Sequence, residues 1–405
     1  MDFQIQNGVL ERFHSDEDIT SVIIPDGVTA LGKHVFNEYD NLEHISIPAS
    51  VTSIGKYAFY RCDGLQGITV SPENPCFSSV DGVLFDKEKK TLLLYPLNRP
   101  DAEYRIPDTV ETIADYAFAF SEGGCYQLQK VFIPDCVIRI GDHAFETSEE
   151  LQDIFIPKSV TYIGKNAFAG CDMMTSISVD SDDPYFSSVD GVLFDKGHQK
   201  LLQYPAGRPA KEYCIPDNVT EIGEGAFAYC KNLNRITVPD SVLHIGADAF
   251  TCCFYVESIA LPKHLLSLGE HAFSNCERLQ KIHIPEGLTC IENFTFRGCQ
   301  RLHNLVIPEG ITKIGAYAFD CCWGLTHMIL STGVTSIGDQ AFWQCQNLES
   351  INIPDSVKHI GNRAFVNCWN LKKLTYGGTS IPFTNANDIT MDMIKQSLSS
   401  QISSE

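Results

Sequence analysis

A sixteen-residue pattern recurs along most of this chain at a step of 23 residues. Residues 47–62 read IPASVTSIGKYAFYRC, and the same spacing of residue types returns at 215–230 and 353–368. A repeat of fixed period is the sequence signature of a solenoid, because one short unit has too little apolar surface to fold alone. The pattern therefore predicts that the 405 residues form one elongated domain rather than several globular ones.

The segment before each repeat proline predicts a short β-strand. Leu42, Ile45 and Ile47 represent its Leu-x-x-Ile-x-Ile motif. Alternation places Ile45 and Ile47 on one face of a strand and Ser46 on the other. Stacked copies bury such a face when each strand pairs with the next coil at about 4.8 Å. Fifteen strand positions then predict a parallel sheet roughly 70 Å long before curvature.

The rest of each repeat predicts a corner and a buried ring. Val51 and Ile54 represent two further inward positions, followed by a glycine in ten of twelve full copies, with Ala114 and Glu292 as the exceptions. Such a glycine indicates either a positive φ or a close approach of neighbouring coils. The Ala-Phe pair that follows, as at Phe250, predicts one helical turn with the ring inside the stack.

The repeat Leu-x-x-Ile-x-Ile-Pro-x-x-Val-x-x-Ile-Gly-x-x-Ala-Phe-x-x-Cys resembles the BspA-type leucine-rich repeat over roughly residues 1–377. It departs from ordinary leucine-rich repeats in having proline where an asparagine ladder would begin. The resemblance implies an α/β repeat solenoid, a curved right-handed coil stack with little helix and a parallel sheet on its concave face. It also implies adhesion or protein binding, often on cell surfaces, and no catalytic residues.

Two interruptions and two ends define the expected domain organisation. We expect an N-terminal cap over 1–20, the solenoid over 21–378 and a C-terminal cap helix with a tail over 379–405. Hairpin-bearing units are expected at 72–106 and 181–215, because residues 77–87 recur at 186–196, an offset of 109 that indicates a duplicated block.

Each hairpin is expected to join a Val-Leu-Phe strand to a leucine-rich one, either projecting as a binding element or packing in the stack. Extra length near 121–125 predicts a loop.

At the C-terminal end, Ile394 and Leu398 stand at helical spacing, with Asp388 as the expected N-cap.

Nine of the sixteen cysteines occupy one repeat slot, three residues after the phenylalanine. Ser121 and Ser148 take the same slot in other copies, which is typical of a packing position filled by a small, buried and reduced side chain. The sequence has no Cys-x-x-Cys pair and no His/Cys cluster with ligand spacing, so we expect neither a metal nor another cofactor. The nine are Cys62, Cys171, Cys230, Cys253, Cys276, Cys299, Cys322, Cys345 and Cys368.

Charge and hydropathy narrow the class of partner. The chain has 51 acidic and 30 basic residues and a formal charge of −21, which disfavours nucleic acid and anionic membranes as partners. No apolar run is long enough to cross a membrane. No motif for phosphate binding or nucleophilic catalysis occurs, so we expect no enzymatic activity. We also expect the chain to be a monomer. Residues 1–7 lack the features of a signal peptide, which favours the cytoplasm, whereas the family resemblance favours the cell surface or secretion.

The outward residues of the predicted strands are the candidate binding surface. Most are small or polar, but Phe132 and Phe155 are aromatic neighbours, and Val306 and Ile329 form a second apolar pair. Exposed apolar neighbours on a polar sheet are typical of recognition sites. We therefore expect a scaffold that binds a protein through its concave face, with a carbohydrate or glycopeptide of the cell envelope as the alternative ligand. The candidate partner-binding residues are Lys130, Phe132, Asp153, Phe155, His283, Val306 and Ile329.

Overall fold

A computed structural model describes residues 2–15, 18–37, 39–119, 125 and 127–402. The loop predicted near 121–125 lies outside the described residues, apart from Cys125. The chain divides into two compact units, Met1–Lys196 with Pro205–Arg208, and Gly197–Tyr204 with Pro209–Glu405.

The first unit is a stack of coils, most of which contribute a face strand before the repeat proline and, after it, a two-residue second strand. The coils of Gly67–Val70 and Ser176–Val179 instead continue into a hairpin. Its face strands are Ser21–Ile23, His44–Ile47, Gly67–Val70, Glu103–Arg105, Lys130–Phe132, Asp153–Ile156 and Ser176–Val179. Its second strands are Ala30–Leu31, Ser53–Ile54, Thr112–Ile113, Arg139–Ile140 and Tyr162–Ile163. Its remaining strands are Asp2–Gln6, Val9–His14, Phe77–Val80, Val83–Asp86, Thr91–Leu94, Phe186–Val189 and Val192–Asp195.

The second unit repeats the same coil and ends in a helix. Its face strands are Glu212–Cys214, Arg235–Thr237, Ser258–Ala260, Leu305–Ile307, His327–Leu330, Ser350–Ile353 and Lys373–Tyr376. Its second strands are Glu221–Ile222, His244–Ile245, Ser267–Leu268, Cys290–Ile291, Lys313–Ile314, Ser336–Ile337 and His359–Ile360. Strand Lys200–Gln203 is the counterpart of Thr91–Leu94 in the duplicated block. Strand Thr379–Ser380, the 3₁₀ helix Ala386–Asp388 and the α-helix Met391–Ile402 complete it.

Parallel pairing of successive coils confirms the solenoid with very little helix. Ile45, for example, lies opposite Ile68 in the next face strand, and both side chains are buried. The predicted strand at His283 is an exception, because this segment forms only an isolated bridge between Ser258 and Lys281. Fourteen of the fifteen predicted positions are therefore face strands in the described chain.

The corner glycines are favoured by the close approach of coils and not by a positive φ. A Cβ added to Gly141 would lie 2.5 Å from the backbone nitrogen of Asp115 in the preceding coil. At Gly361 the corresponding distance to the nitrogen of Asp339 is 2.3 Å, and neither glycine has a positive φ. Of the two explanations that the sequence allowed, close packing is correct.

The Ala-Phe segment is a turn and not the predicted helical turn. The residue two before the phenylalanine is left-handed, as at Tyr317 with φ 55°, and so is the residue two after it, as at Cys321 with φ 57°. Two left-handed residues in so short a segment are incompatible with a helical turn. The turn also links the coils, because the nitrogen of Phe319 donates to the carbonyl of Ala341 in the next coil at 2.8 Å.

The repeat phenylalanines form the centre of each stack. Phe273 is fully buried, and its ring centroid lies 5.1 Å from that of Phe250 and 5.7 Å from that of Phe296. The planes differ by 7° and 2°, so successive rings are nearly parallel. The prediction that these rings fill the interior is confirmed.

The cysteine slot is buried as predicted, and it also forms a hydrogen-bonded ladder. The thiols of Cys253, Cys299 and Cys345 donate to phenylalanine carbonyls 26 residues earlier, at 3.0–3.2 Å. Ser148 places its hydroxyl in the same position, 3.3 Å from the carbonyl of Phe118. The slot therefore selects a small side chain with a donor, which explains why serine replaces cysteine there.

The first hairpin packs in the stack as part of a three-stranded antiparallel meander. Phe77–Val80 pairs with Val83–Asp86, which pairs with Thr91–Leu94. The last strand then lies parallel to Thr112–Ile113, in the place of a second strand. Because Val83, Leu84 and Phe85 are buried, the projecting alternative is wrong here. In the duplicated block Phe186–Val189 pairs with Val192–Asp195 in the same register.

Both chain ends carry capping structures that the sequence indicated only in part. Asp2–Gln6 and Val9–His14 form an antiparallel hairpin, and the second of these strands continues parallel to Ala30–Leu31. The C-terminal helix begins at Met391, where the hydroxyl of Thr390 accepts from the nitrogen of Met393 at 3.2 Å. Asp388 was therefore the wrong choice of N-cap, since Thr390 occupies that position.

Candidate functional site

The predicted outward column lies on the surface, as the alternation requires. Phe155 is 47% exposed, and the neighbouring Ser178 and Arg105 are exposed too. Phe132 is half-buried. Lys130 lies opposite Asp153, and Val131 opposite Ile154, so the next position in this register brings Phe132 and Phe155 onto adjacent strands.

Two cations shield the ring of Phe132. Arg105 lies directly opposite Phe132 on the preceding strand, with its guanidinium carbon 3.7 Å from the ring centroid. The ammonium of Lys130 lies 5.1 Å from the same centroid. Both distances fall within the range of cation–π attraction, so Phe132 belongs to a small cationic cluster while Phe155 presents a free apolar surface.

Polar residues border this aromatic pair, and a hairpin turn lies at the end of its sheet. Lys130 is half-buried and Asp153 exposed, beside the rings on the same strands. At the end of the sheet, the nitrogen of Ile177 donates to the carbonyl of Gly191 in the second hairpin turn at 2.9 Å. In the first hairpin, Gly82 accepts equivalently from Ile68 at 2.8 Å. Each hairpin turn is thus hydrogen-bonded to the last face strand of a sheet.

The second unit carries the other predicted apolar pair. Val306 and Ile329 lie directly opposite each other on adjacent strands and are 60% and 59% exposed. His283 is exposed in the coil before Val306, on the segment that forms only a bridge. The second unit therefore brings Val306 and Ile329 together, whereas no strand pairing among its described residues joins the segment of His283 to them.

The slot cysteines of the described chain are chemically protected by burial. Burial raises the pKa of slot thiols such as Cys171 and Cys299, which keeps them protonated and unreactive. In the described part of the chain, no three His, Cys, Asp or Glu side chains are arranged to hold a metal ion. Nor does any helix of that part have the length and apolarity to cross a bilayer.

Sequence reasoning did not select three exposed features. Arg105 stands in the outward column beside Phe132, but its role depends on a ring contact that spacing alone does not specify. Trp323 and Trp369 are 38% and 71% exposed, each one residue after a slot cysteine. Because both tryptophans stand at the same repeat position, the sequence alone could have indicated them as neighbours on one surface. The third feature is a cavity beside Tyr57, described below.

Comparison with known proteins agrees with this architecture. A family model described as the BspA type leucine-rich repeat region, with six copies, matches residues 10–89, 102–194, 207–295 and 267–386. A leucine-rich repeat protein from Eubacterium ventriosum is 24% identical, with a TM-score of 0.60 over 92% of this chain and 90% of that one. A leucine-rich cell surface protein from Faecalibacterium prausnitzii is 28% identical, with a TM-score of 0.48 over 93% of each chain. No curated protein matches.

The stacked parallel strands, the inward leucine and isoleucine columns and the cysteine ladder define a leucine-rich repeat β-solenoid. Since the family match extends over most of its length, the chain belongs to the BspA-type leucine-rich repeat family.

Proposed function

We propose that this chain is a non-catalytic scaffold that binds another protein through the outward residues of its face strands, in an adhesin-like role. The observation that carries the proposal is Phe155, a half-exposed aromatic side chain whose sheet presents Arg105, Phe132 and Ser178 at the other outward positions. Aromatic and arginine side chains dominate binding hot spots, and this part of the face supplies both.

The surroundings of Phe155 have the layout of an interface centre. Phe132 and its covering Arg105 lie on the preceding strands, and Lys130 and Asp153 provide a polar border. A partner that covers Phe155 buries the apolar surface of its ring, which stabilises the complex. The polar border then excludes water from the contact. Although the chain is acidic overall, the two cationic and two aromatic side chains favour an acidic or aromatic partner segment at this point.

Site-specific photo-crosslinking tests the proposal directly. A photoreactive p-benzoylphenylalanine is placed at position 155 and, as a matched control in the same outward column, at Thr237. We expect a partner captured from position 155 to be absent at position 237. The double variant Phe132→Ala, Phe155→Ala is then expected to bind that purified partner about 30-fold or more weakly, which corresponds to about 2 kcal/mol.

The double variant Val306→Ala, Ile329→Ala serves as the second control and should retain binding. If this variant loses binding while the phenylalanine variant retains it, the face of the first unit is not the site. Circular dichroism and melting temperature establish that each variant folds, because a loss of fold would make the phenylalanines core residues.

The two exposed tryptophans favour a carbohydrate of the cell envelope as the second candidate ligand. Trp323 and Trp369 occupy the same repeat position two coils apart, about 10 Å along the stack. Beside them, the side-chain nitrogen of Asn347 donates to the carbonyl of Trp323 at 2.8 Å, and that of Asn370 donates to the side-chain oxygen of Asn347 at 3.1 Å. Stacking rings beside ordered amides suit an extended chain of pyranose rings.

Intrinsic fluorescence tests this alternative, because the chain has three tryptophans and two of them are in question. Saturable quenching by β-linked oligosaccharides that disappears in Trp323→Ala, Trp369→Ala but persists in Trp343→Phe would support it. Quenching that is unchanged in the double variant would exclude these two rings.

A further inference from the structure

A cavity of about 370 Å³ lies in the first unit where the first meander interrupts the regular stack. Ser53–Ile54 is the last strand of one sheet, and Phe77–Val80 is the edge strand of the next. Among the described residues no pairing joins these two edges. The inserted meander therefore leaves a gap in the second-strand row that regular coils fill.

The wall of the cavity is apolar and reachable from solvent. Ile54 is only half-buried, whereas Ile113 and Ile140, which hold the same repeat position in later coils, are fully buried. Phe77 and Leu93 are half-buried as well. The apolar lining includes Ile54, Phe77, Leu84, Leu93, Leu94 and Ala114.

Polar groups converge on one side of the same cavity. The hydroxyl oxygens of Tyr57 and Tyr116 lie 3.2 Å apart and are hydrogen-bonded. The ammonium of Lys56 lies 4.7 Å from the ring centroid of Tyr57 and 5.6 Å from that of Tyr116. Lys33 adds a second positive charge, 6.0 Å from the ring of Tyr57. These groups give the cavity a cationic, hydrogen-bonding rim.

The acidic residue at this rim is already engaged. Asp115 forms an ion pair with Arg139 at 3.3 Å and accepts a hydrogen bond from the nitrogen of Asp142 at 2.9 Å. Burial acts to raise the pKa of Tyr57, yet the hydrogen bonds of Tyr116 and Lys56 and the charges of Lys56 and Lys33 leave that pKa below its usual value. Burial, the hydrogen bond with Tyr57 and the charges of Glu146 and Asp115 raise the pKa of Tyr116. Lys56 and Lys33 therefore favour negative charge on the Tyr57 side of the rim.

We propose that this cavity binds a small amphipathic organic monoanion, with its carboxylate at Lys56 and the two tyrosine hydroxyls and its apolar body against Phe77 and Leu84. The volume lies within the range of small-molecule sites, which are mostly apolar with a few orienting polar groups. A carboxylate accepts hydrogen bonds from an ammonium and from hydroxyls, and such charge-assisted bonds are the strong ones.

Octanoate and octan-1-ol are the matched probes, because they share a chain length and differ in charge. Calorimetric titration of the full chain should show saturable binding of octanoate and weaker binding of octan-1-ol. Lys56→Met is expected to weaken octanoate about tenfold while leaving octan-1-ol unchanged. Lys165→Met is the control, because Lys165 is exposed and stands at the position of Lys56 in the duplicated block, 109 residues later.

A second variant tests whether the cavity itself is the site. Ala114→Leu fills it from one wall and should abolish the binding of both probes. Should this variant fail to fold, Leu93→Phe, at another half-buried position of the lining, replaces it with the same expected result. The proposal is overturned if octanoate does not saturate, if Lys56→Met binds both probes as the wild type does, or if octanoate binding survives a folded cavity-filling variant.

Discussion

The thiol of Cys276 donates a hydrogen bond to the carbonyl oxygen of Phe250, 3.1 Å away in the preceding coil. The same bond recurs at Cys322 and Cys368 with distances of 3.1 Å. Because each bond joins one coil to the coil before it, the slot contributes to cohesion between repeats as well as to packing.

Substitutions at Cys276 should separate hydrogen bonding from packing. We expect Cys276→Ser to keep the bond, as Ser148 does, whereas the similarly sized Cys276→Val loses it. The valine variant should therefore be less stable than the serine variant by about 0.5–1.5 kcal/mol in chemical denaturation. Ser148→Cys is the reciprocal control and should be close to neutral. Equal stability of the two Cys276 variants would show that only volume matters.

Stability should fall at alkaline pH because of the same ladder. Burial holds the pKa of Cys276 and Cys322 well above the ordinary value of 9.0, so the folded chain keeps protons that the unfolded chain releases. This contribution is complete below about pH 9 and is lost as the pH rises, at up to about 1.4 kcal/mol per pH unit for each thiol. The triple variant Cys276→Ser, Cys299→Ser, Cys322→Ser should show a smaller loss between about pH 8 and 10. An unchanged pH dependence would contradict the assignment.

Thiol accessibility provides an independent check on the slot. The nine slot cysteines are buried, whereas Cys214 is exposed. We expect a thiol reagent to modify Cys214 rapidly in the folded chain and the nine slot thiols only after denaturation. If fewer than about half of the thiols appear on unfolding, the chain is disulfide-bonded and the reduced state is excluded.

Phenylalanine substitutions should distinguish the inward from the outward column. Phe273→Ala opens a cavity between two stacked rings and should cost about 3–5 kcal/mol. Phe155→Ala removes a half-exposed ring and should cost far less. Chemical denaturation of both variants measures the difference, and similar losses would mean that Phe155 packs in the core.

The corner at Gly141 should not accept a side chain without a loss of stability. In Gly141→Ala the new Cβ meets the backbone of Asp115, so the coils must separate locally at a cost of about 1–3 kcal/mol. Ala114→Gly is the control, because the chain already accommodates a Cβ at this corner. A melting temperature unchanged in Gly141→Ala would show that the coils are less tightly packed than their backbone distances indicate.

Periodicity predicted the parts of the fold that depend on which side of a strand faces the core. Ile45 and Ile47 alternate with Ser46, and alternation of residue type determines the buried face wherever strands pair in register. The left-handed turns were not predictable in this way. Tyr317 and Cys321 adopt positive φ without being glycine or asparagine, because hydrogen bonds to the next coil hold their turn. Their side chains carry no conformational signal.

The candidate sites also differ in how far the sequence alone predicts them. The exposure of Phe155 and the pairing of Val306 with Ile329 follow from register, and both are found. The cavity beside Tyr57 depends on how three antiparallel strands replace one coil. The run Val83-Leu84-Phe85 is compatible with either a projecting or a packed hairpin, so only tertiary packing decides where the empty space remains.

The gap at Ile54 also determines where the first unit should unfold first under mechanical force. Ring stacking in the core runs from Phe36 to Phe59 and resumes at Tyr95 with Phe118, and no stacked pair joins Phe59 to Tyr95 among the described residues. Across this step the rings of Tyr57 and Tyr116 meet edge to face, with their centroids 5.3 Å apart. The second-strand row is broken at the same step. Coils in a solenoid transmit force only through their neighbours. Tension along the stack therefore concentrates at this step, and the coils before Ile54 should part from those after it before a regular step opens.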